Sequence, residues 1–309
     1  MLAPKPIPPR TLDSLLPPNL DYAYFAGAQT WPFRQDAARF DLLNASWLAD
    51  AALLAYADEP FARAQWERAG ATALRAFRGT STLAYVASGD RWVIVSFRGT
   101  QVVKRLLNGR GSATWADVVR DWKTDADIRL ERWPRGGKVH RGFKEAFEQV
   151  WDSRGEVPGL SSYLDEVGRA TSRRVWFTGH SLGAALAILA AQTYGSAAGV
   201  YTFGSPRVGT RAFVEAYPVP VYRVVNATDA VTTVPPAPYE PVGALHYIAS
   251  NGQVDGAPTV LVRATDWLRG TLRGIVPGFS AFADHAPLFY ATHTWNACVE
   301  AQATQPFAR

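Results

Sequence analysis

The sequence predicts an α/β protein in which a mostly parallel central sheet is flanked by helices. Three observations point to it. The 309 residues are 48% hydrophobic, enough to bury a large core. Short apolar runs of strand type recur along the chain and alternate with helical patterns. One of these runs, in Arg173 to Tyr194 (RRVWFTGHSLGAALAILAAQTY), passes from strand to helix through a Gly-x-Ser-x-Gly turn. The chain shows no internal repeat and no domain-scale linker. A single domain over residues 41–309, preceded by an N-terminal arm over 1–40, is the simplest organisation.

Composition narrows the classes of function. Charged residues make up 19% and aromatics 12%, a globular rather than a disordered balance. The net charge is +5, but the basic residues form no run, so no nucleic-acid partner is expected. The excess of positive charge leaves room for contact with anionic interfaces. Cys298 is the single cysteine, so no intramolecular disulfide can form. It sits in an apolar helical pattern, where a buried, inert thiol is expected. The five histidines show neither H-x-x-x-H nor H-E-x-x-H spacing. No metal and no cofactor are therefore expected. The N-terminal stretch MLAPKPIPPRTLDSLLPPNL is proline-rich and shows no signal peptide, which leaves the compartment open between the cytoplasm and secretion. No run of 18 apolar residues occurs, so no transmembrane segment is expected.

The elements follow in order. Residues 1–40 read as an extended arm without regular structure. Asp41 to Tyr56 places apolar residues at helical spacing and predicts an amphipathic helix. A second helix is expected from Pro60 to Ala69, with Gly70 as its stop. Thr82–Ala87 and Trp92–Phe97 flank Gly89-Asp90 and read as a hairpin. The tetrapeptide Phe-Arg-Gly-Thr occurs twice, at Phe77–Thr80 and at Phe97–Thr100. The second copy ends an apolar strand, at the end of the sheet where open α/β folds place ligands. The first precedes a strand and is expected at the opposite end. Residues 101–119, directly after Thr100, form a candidate lid. Val139–Phe143 opens a helix running to about Arg154. Beyond the serine turn come the strand Gly199–Phe203, the loop Gly204–Gly209, a helix near Arg211–Tyr217 and the strand Val221–Asn226. Leu245–Ser250 is expected to pair through Asn251-Gly252 with Val260–Arg263. A last helix runs from Pro287 to about Ala301.

The serine turn has the context of a nucleophile elbow, with Ser181 raised above the sheet edge. A serine hydroxyl needs a base within hydrogen-bond reach, and the base needs an orienting carboxylate. On a strand–turn–helix elbow these follow downstream, first the acid and then the histidine. Asp229 lies just past a core strand. Asp255, in a hairpin turn, and Asp266, after an outer strand, are less well placed. Among the downstream histidines, His246 falls inside a strand and His293 lies two turns into the last helix. His285 stands at a loop-to-helix junction, free to reach the serine, and is chosen as the base. His180, inside the pentapeptide, is expected to support the turn. The tetrahedral oxyanion needs donors. The Leu182 N–H is one, and Thr100 supplies the other.

Five blocks then carry a resemblance: GHSLGAALA at 179–187, FRGT at 97–100, VHRGF at 139–143, TFGSPRVG at 202–209 and NATDAVTTVPP at 226–236. Together they resemble the class 3, fungal-lipase-like family. The resemblance covers roughly residues 41–300 and implies an α/β-hydrolase fold with a lid-like insertion. It also implies hydrolysis of acylglycerols or other acyl esters, with Ser181, Asp229, His285 and Thr100 at the family's catalytic and oxyanion positions. A W-x-x-D block, at Trp122 and Asp125, implies that Asp125 supports the Thr100 hydroxyl. The stretch from Thr100 to Trp122 is longer than the family's short lid. The expected partner is a small-molecule or lipid ester, with transient contact to a lipid interface. The alternatives are a phospholipase A1-type activity and a lipase-like binding protein without catalysis. Substrate preference is expected to be decided in segments 101–119 and 267–283.

Overall fold

The structure, a computed structural model, describes residues 2–100, 129–153, 155–169, 171–256 and 283–304. The lid candidate 101–119, Trp122, Asp125, the strand expected at 260–263, Asp266 and most of segment 267–283 lie outside the described residues.

The N-terminal segment is not wholly irregular, since Leu12–Leu15 forms one helical turn, α1. Helix α2, Leu42–Leu54, starts where Asp41 caps it by accepting the Asn44 N–H. It is not amphipathic as expected. All of Leu43–Leu54 is buried, because one face lies on the sheet and the rest is covered by the N-terminal segment and the last helix. Its polar residues are satisfied by that cover. Asn44 exchanges hydrogen bonds with the Arg34 backbone, and Asp50 accepts from the Phe25 N–H and the Tyr22 hydroxyl. Helix α3, Glu59–Arg68, ends before Gly70, whose φ of +91° suits glycine.

Strands β1 (Ala73–Arg78), β2 (Leu83–Ser88) and β3 (Trp92–Phe97) form an antiparallel meander. Strands β4 (Leu130–Arg132) and β5 (Lys138–His140) lead into helix α4, Arg141–Trp151, with α5 at Leu160–Leu164. Strand β6 (Arg174–His180) feeds helix α6, Leu182–Tyr194, and β7 (Gly199–Phe203) follows. Then come β8 (Gly209–Thr210), α7 (Arg211–Glu215), β9 (Val221–Asn226), β10 (Tyr239–Glu240), β11 (Ala244–Ile248), β12 (Val254–Asp255) and α8 (Pro287–Thr304).

The described strands make one eight-stranded sheet, ordered β1-β2-β3-β6-β7-β9-β11-β12, and a four-stranded sheet ordered β10-β8-β5-β4. The pairs β3–β6, β6–β7, β7–β9 and β9–β11 are parallel. The central sheet is thus parallel where it matters for the site and antiparallel at both edges. Its inner strands β2, β3, β6 and β7 are buried on both faces, and alternate side chains go to opposite sides. Trp176, Tyr201 and Val224 pack with α2 and α8, while Val175, Phe177 and Val200 pack with α6 and α4.

The hairpin reading of β2 and β3 holds, but the strand before it was not foreseen. β1 runs parallel to β3 on the far side of β2, with Arg78 opposite Leu83 and Phe97 opposite Ala84. The first Phe-Arg-Gly-Thr copy therefore lies at the same end of the sheet as the second, not at the opposite end. It differs by being at the edge, with two strands between it and β6, where Gly79 borders Gln149 of α4.

Candidate active site

Strand β6 delivers Ser181 into a turn with φ +58° and ψ −128°. A non-glycine residue there stores roughly 1–3 kcal/mol of strain, which the surrounding structure must over-determine. It does so with backbone. A Cβ on Gly179 would run into the Gly183 backbone, and a Cβ on Gly183 would run into the Phe97 carbonyl. The Ser181 N–H donates to the Phe203 carbonyl at 3.0 Å. Ser181 precedes α6 but gives it no side-chain cap, and its hydroxyl is buried with no hydrogen-bond partner among the described residues. The side chain is thus kept out of structural use. Leu182, half-buried, opens α6, so its N–H belongs to the unpaired, positive end of the helix.

Asp229 stands three residues beyond β9 and begins a short helical turn by accepting the Val231 N–H at 2.9 Å. His285 Nδ1 lies 3.0 and 2.9 Å from its two carboxylate oxygens, and both residues are buried. A carboxylate can only accept, so Nδ1 carries the proton, and in the neutral ring Nε2 carries the lone pair. The Tyr290 hydroxyl, on α8, donates to Asp229 Oδ2 at 2.6 Å and accepts the Asn226 N–H at 3.0 Å. Gly204, at φ +59°, brings its backbone so close that a Cβ would stand 2.7 Å from Asp229 Oδ2 and 2.9 Å from His285 Nδ1. The glycine after β7 is therefore a requirement of the Asp–His pair.

His180 joins the two halves. Its Nε2 lies 2.6 Å from the His285 carbonyl, and its Nδ1 lies 2.9 Å from the Tyr56 hydroxyl. The carbonyl can only accept, so Nε2 donates, and a neutral ring must accept from Tyr56 at Nδ1. Burial, reinforced by His285 nearby, holds the His180 pKa well below its ordinary value and keeps the ring neutral. The Tyr56 hydroxyl in turn rests on Gly99, where a side chain would collide with it and would come 2.7 Å from the His180 carbonyl. Thr100, half-buried, follows Gly99 at the carboxyl end of β3, beside the elbow.

The other candidates stand elsewhere. His246 stacks on Phe40 with ring centroids 3.6 Å apart, and burial pushes its pKa down to about 4. His293 lies against the Gly252 turn, and burial with Arg10 nearby also brings it to about 4. His140 stacks on Phe143. Asp255 is exposed on the edge strand β12. Asp125 lies outside the described residues. Tyr56, Tyr290 and Gly204 were not singled out from the sequence. Each reads there as an ordinary core aromatic or turn glycine, and only tertiary contact distinguishes them.

Residues 94–239 match the family described as Lipase (class 3), a span that ends before His285. The chain is 30% identical over 237 residues to a lipase of Rhizomucor miehei, covering 70% of this chain and 59% of that one. It is 36% identical over 163 residues to a chloroplastic phospholipase A(1) of Arabidopsis thaliana, covering 48% of this chain and 34% of that one. The chain spans about half the length of the curated relatives it matches. A solved fungal lipase–inhibitor complex superposes with a TM-score of 0.55 at 24% identity, covering 82% of this chain and 94% of that chain, and shows that the fold is that of an α/β-hydrolase. The family match takes in β3, the elbow and the Asp229 loop, and the likeness to the Rhizomucor miehei lipase extends over 237 residues: the chain belongs to the class 3 lipase family.

Proposed function

We propose that the chain is a serine ester hydrolase acting on acylglycerols or other neutral acyl esters through an acyl-enzyme. The observation that carries this is the buried His285–Asp229 pair at the end of the sheet where the strained Ser181 elbow stands. In the reaction the Ser181 oxygen adds to the ester carbonyl carbon as its proton passes to His285 Nε2. Asp229 fixes the ring and stabilises the imidazolium, and does not take the proton. The oxyanion receives the Leu182 N–H and the Thr100 N–H or hydroxyl, with Asp125 assigned to hold that hydroxyl. Collapse breaks the acyl–oxygen bond, and the leaving alcohol takes the proton from His285. Water repeats the sequence on the acyl-enzyme and releases the acid. Residues 1–40 are read as an arm on a single hydrolase unit of residues 41–309, and the unit as one that meets lipid interfaces transiently.

A second reading, phospholipase A1 activity, draws on the Arabidopsis relative, which is a phospholipase A(1) by name. One experiment tests both. Wild type and Ser181→Ala are compared on a nitrophenyl ester, triacylglycerol and phosphatidylglycerol, with fluorophosphonate labelling alongside. Turnover and labelling are expected in the wild type and lost in the variant. Labelling retained by Ser181→Ala overturns the nucleophile, and absence of acid release from phosphatidylglycerol removes the second reading.

A further inference from the structure

We propose that the N-terminal segment positions the catalytic base, with Arg10 acting through Asp284 to hold the turn that carries His285. This rests on the reading of His285 as the base. Asp284 directly precedes His285 and is 3% exposed. Its Oδ1 pairs with Arg10 Nη2 at 2.7 Å. Its Oδ2 accepts the Thr228 N–H at 3.1 Å and the Thr228 hydroxyl at 2.6 Å. Its main-chain carbonyl accepts from the Asn226 side-chain amide at 2.9 Å. Thr228 directly precedes Asp229. One buried carboxylate therefore ties the base turn to the acid loop, and a cation from the far end of the sequence neutralises it.

The rest of the segment makes the same attachment by other means. Leu15 of α1 is fully buried against Ala283, Ala286 and Phe289, the residues on either side of His285. Further back, Lys5 exchanges two main-chain hydrogen bonds with the Asn296 side chain, at 2.7 and 2.9 Å. The Ala3 carbonyl accepts from the Trp295 indole at 3.0 Å. From Ala3 to Leu15 the segment follows α8 back to its beginning and closes on the turn with one ionic and one apolar contact.

A buried carboxylate held by neutral donors alone is costly, and removing the cationic partner leaves its charge uncompensated. Without Arg10, Asp284 must turn outward, admit water or take a proton. Each of these moves main chain adjoining His285 and slackens Thr228 next to Asp229. Arg10 is thus a positioning residue, and its loss should reduce turnover more than ground-state binding. Arg10 is partly exposed, with a side-chain accessibility of 37%, so its replacement leaves the core intact.

The test uses the full chain and a soluble nitrophenyl ester. Arg10→Met keeps the methylene stem and removes the charge. It is expected to lower kcat about tenfold, since a misplacement near 1 Å at a reacting group costs up to about 10²-fold, with KM within about twofold. Arg10→Lys is expected to restore most of the loss. Arg211→Met, which breaks an exposed pair with Glu215, serves as the control for a surface arginine. The second readout is independent of turnover: the downfield Nδ1 proton resonance of His285, assigned by its absence in His285→Asn. It is expected to broaden or shift in Arg10→Met. An unmoved resonance with kcat within about twofold of wild type overturns the proposal. If the wild type turns over no ester, the hydrolase reading fails, and the resonance alone decides whether Arg10 positions His285.

Discussion

Ser181 and the Asp229–His285 pair, proposed as nucleophile, acid and base, are held in different ways. Ser181 is held by backbone. Gly179, Gly183 and the Phe97 carbonyl meet so closely that no side chain fits between them, and the strands involved are buried on both faces. Asp229 stands on a loop and His285 on the helical turn 283–285 before α8, and both are held by side chains: Tyr290, Thr228, Asp284, His180 and, from the other end of the chain, Arg10. Close-packed backbone has no softer alternative, so damage on the first side should appear as lost folding. Hydrogen-bonded loops can relax, so damage on the second should appear as lost turnover in a folded protein.

Three substitutions bear on that contrast, from the largest expected effect to the smallest. Asp229→Asn keeps the shape of the acid but presents an amide that competes for the wrong imidazole tautomer. In a serine triad such a change lowers kcat by about 10⁴. Steady-state kinetics on a nitrophenyl ester should show this with a thermal midpoint near that of the wild type. A loss of less than about tenfold would move the orienting acid elsewhere. Gly183→Val forces a side chain into the Phe97 carbonyl. Overpacking of this kind costs about 1–3 kcal/mol or more, so its urea midpoint should fall before its activity is even considered. A wild-type midpoint would mean that the elbow can relax. Tyr290→Phe removes one hydroxyl that donates to Asp229 and accepts from Asn226. Leaving those buried groups short of a partner costs about 1–3 kcal/mol, and kcat should fall about tenfold while KM is kept. Equal losses in stability and none in kcat would make Tyr290 purely structural.

The legibility of the sequence follows the same division. The elbow was readable because its strand, turn and helix are contiguous and its glycines are fixed in spacing. Asp229 was picked as an acid just past a core strand and His285 as a histidine at a loop-to-helix junction, and the structure pairs the two at 2.9 Å. β1 was missed because Arg75 and Arg78 break the apolar run. In the structure they lie at the sheet edge, where Arg75 covers the Tyr163 ring at 4.6 Å while Leu74 and Phe77 turn inward. The second Phe-Arg-Gly-Thr copy does end a core strand, as expected, but the first was wrongly placed at the opposite end, since both copies share one end of the sheet. What distinguishes Thr100 is its place beside β6. Helix α2 was expected to be amphipathic from the helical spacing of its apolar residues, which leaves Asn44, Ser46 and Asp50 among them. The N-terminal segment supplies the partners that let those residues be buried.

By itself the sequence determined the elements whose information is local: strand periodicity, the glycine-flanked turn at Ser181, the caps, and polar residues at strand ends. Only the tertiary structure decided what depends on residues distant in sequence. It put Tyr290 and Gly204 on Asp229, Tyr56 and His180 between the base turn and Gly99, and Arg10 on Asp284 across 274 residues. A hydrogen bond leaves no periodic trace along the chain. Its two ends look like any other arginine or tyrosine until the sheet has brought them together.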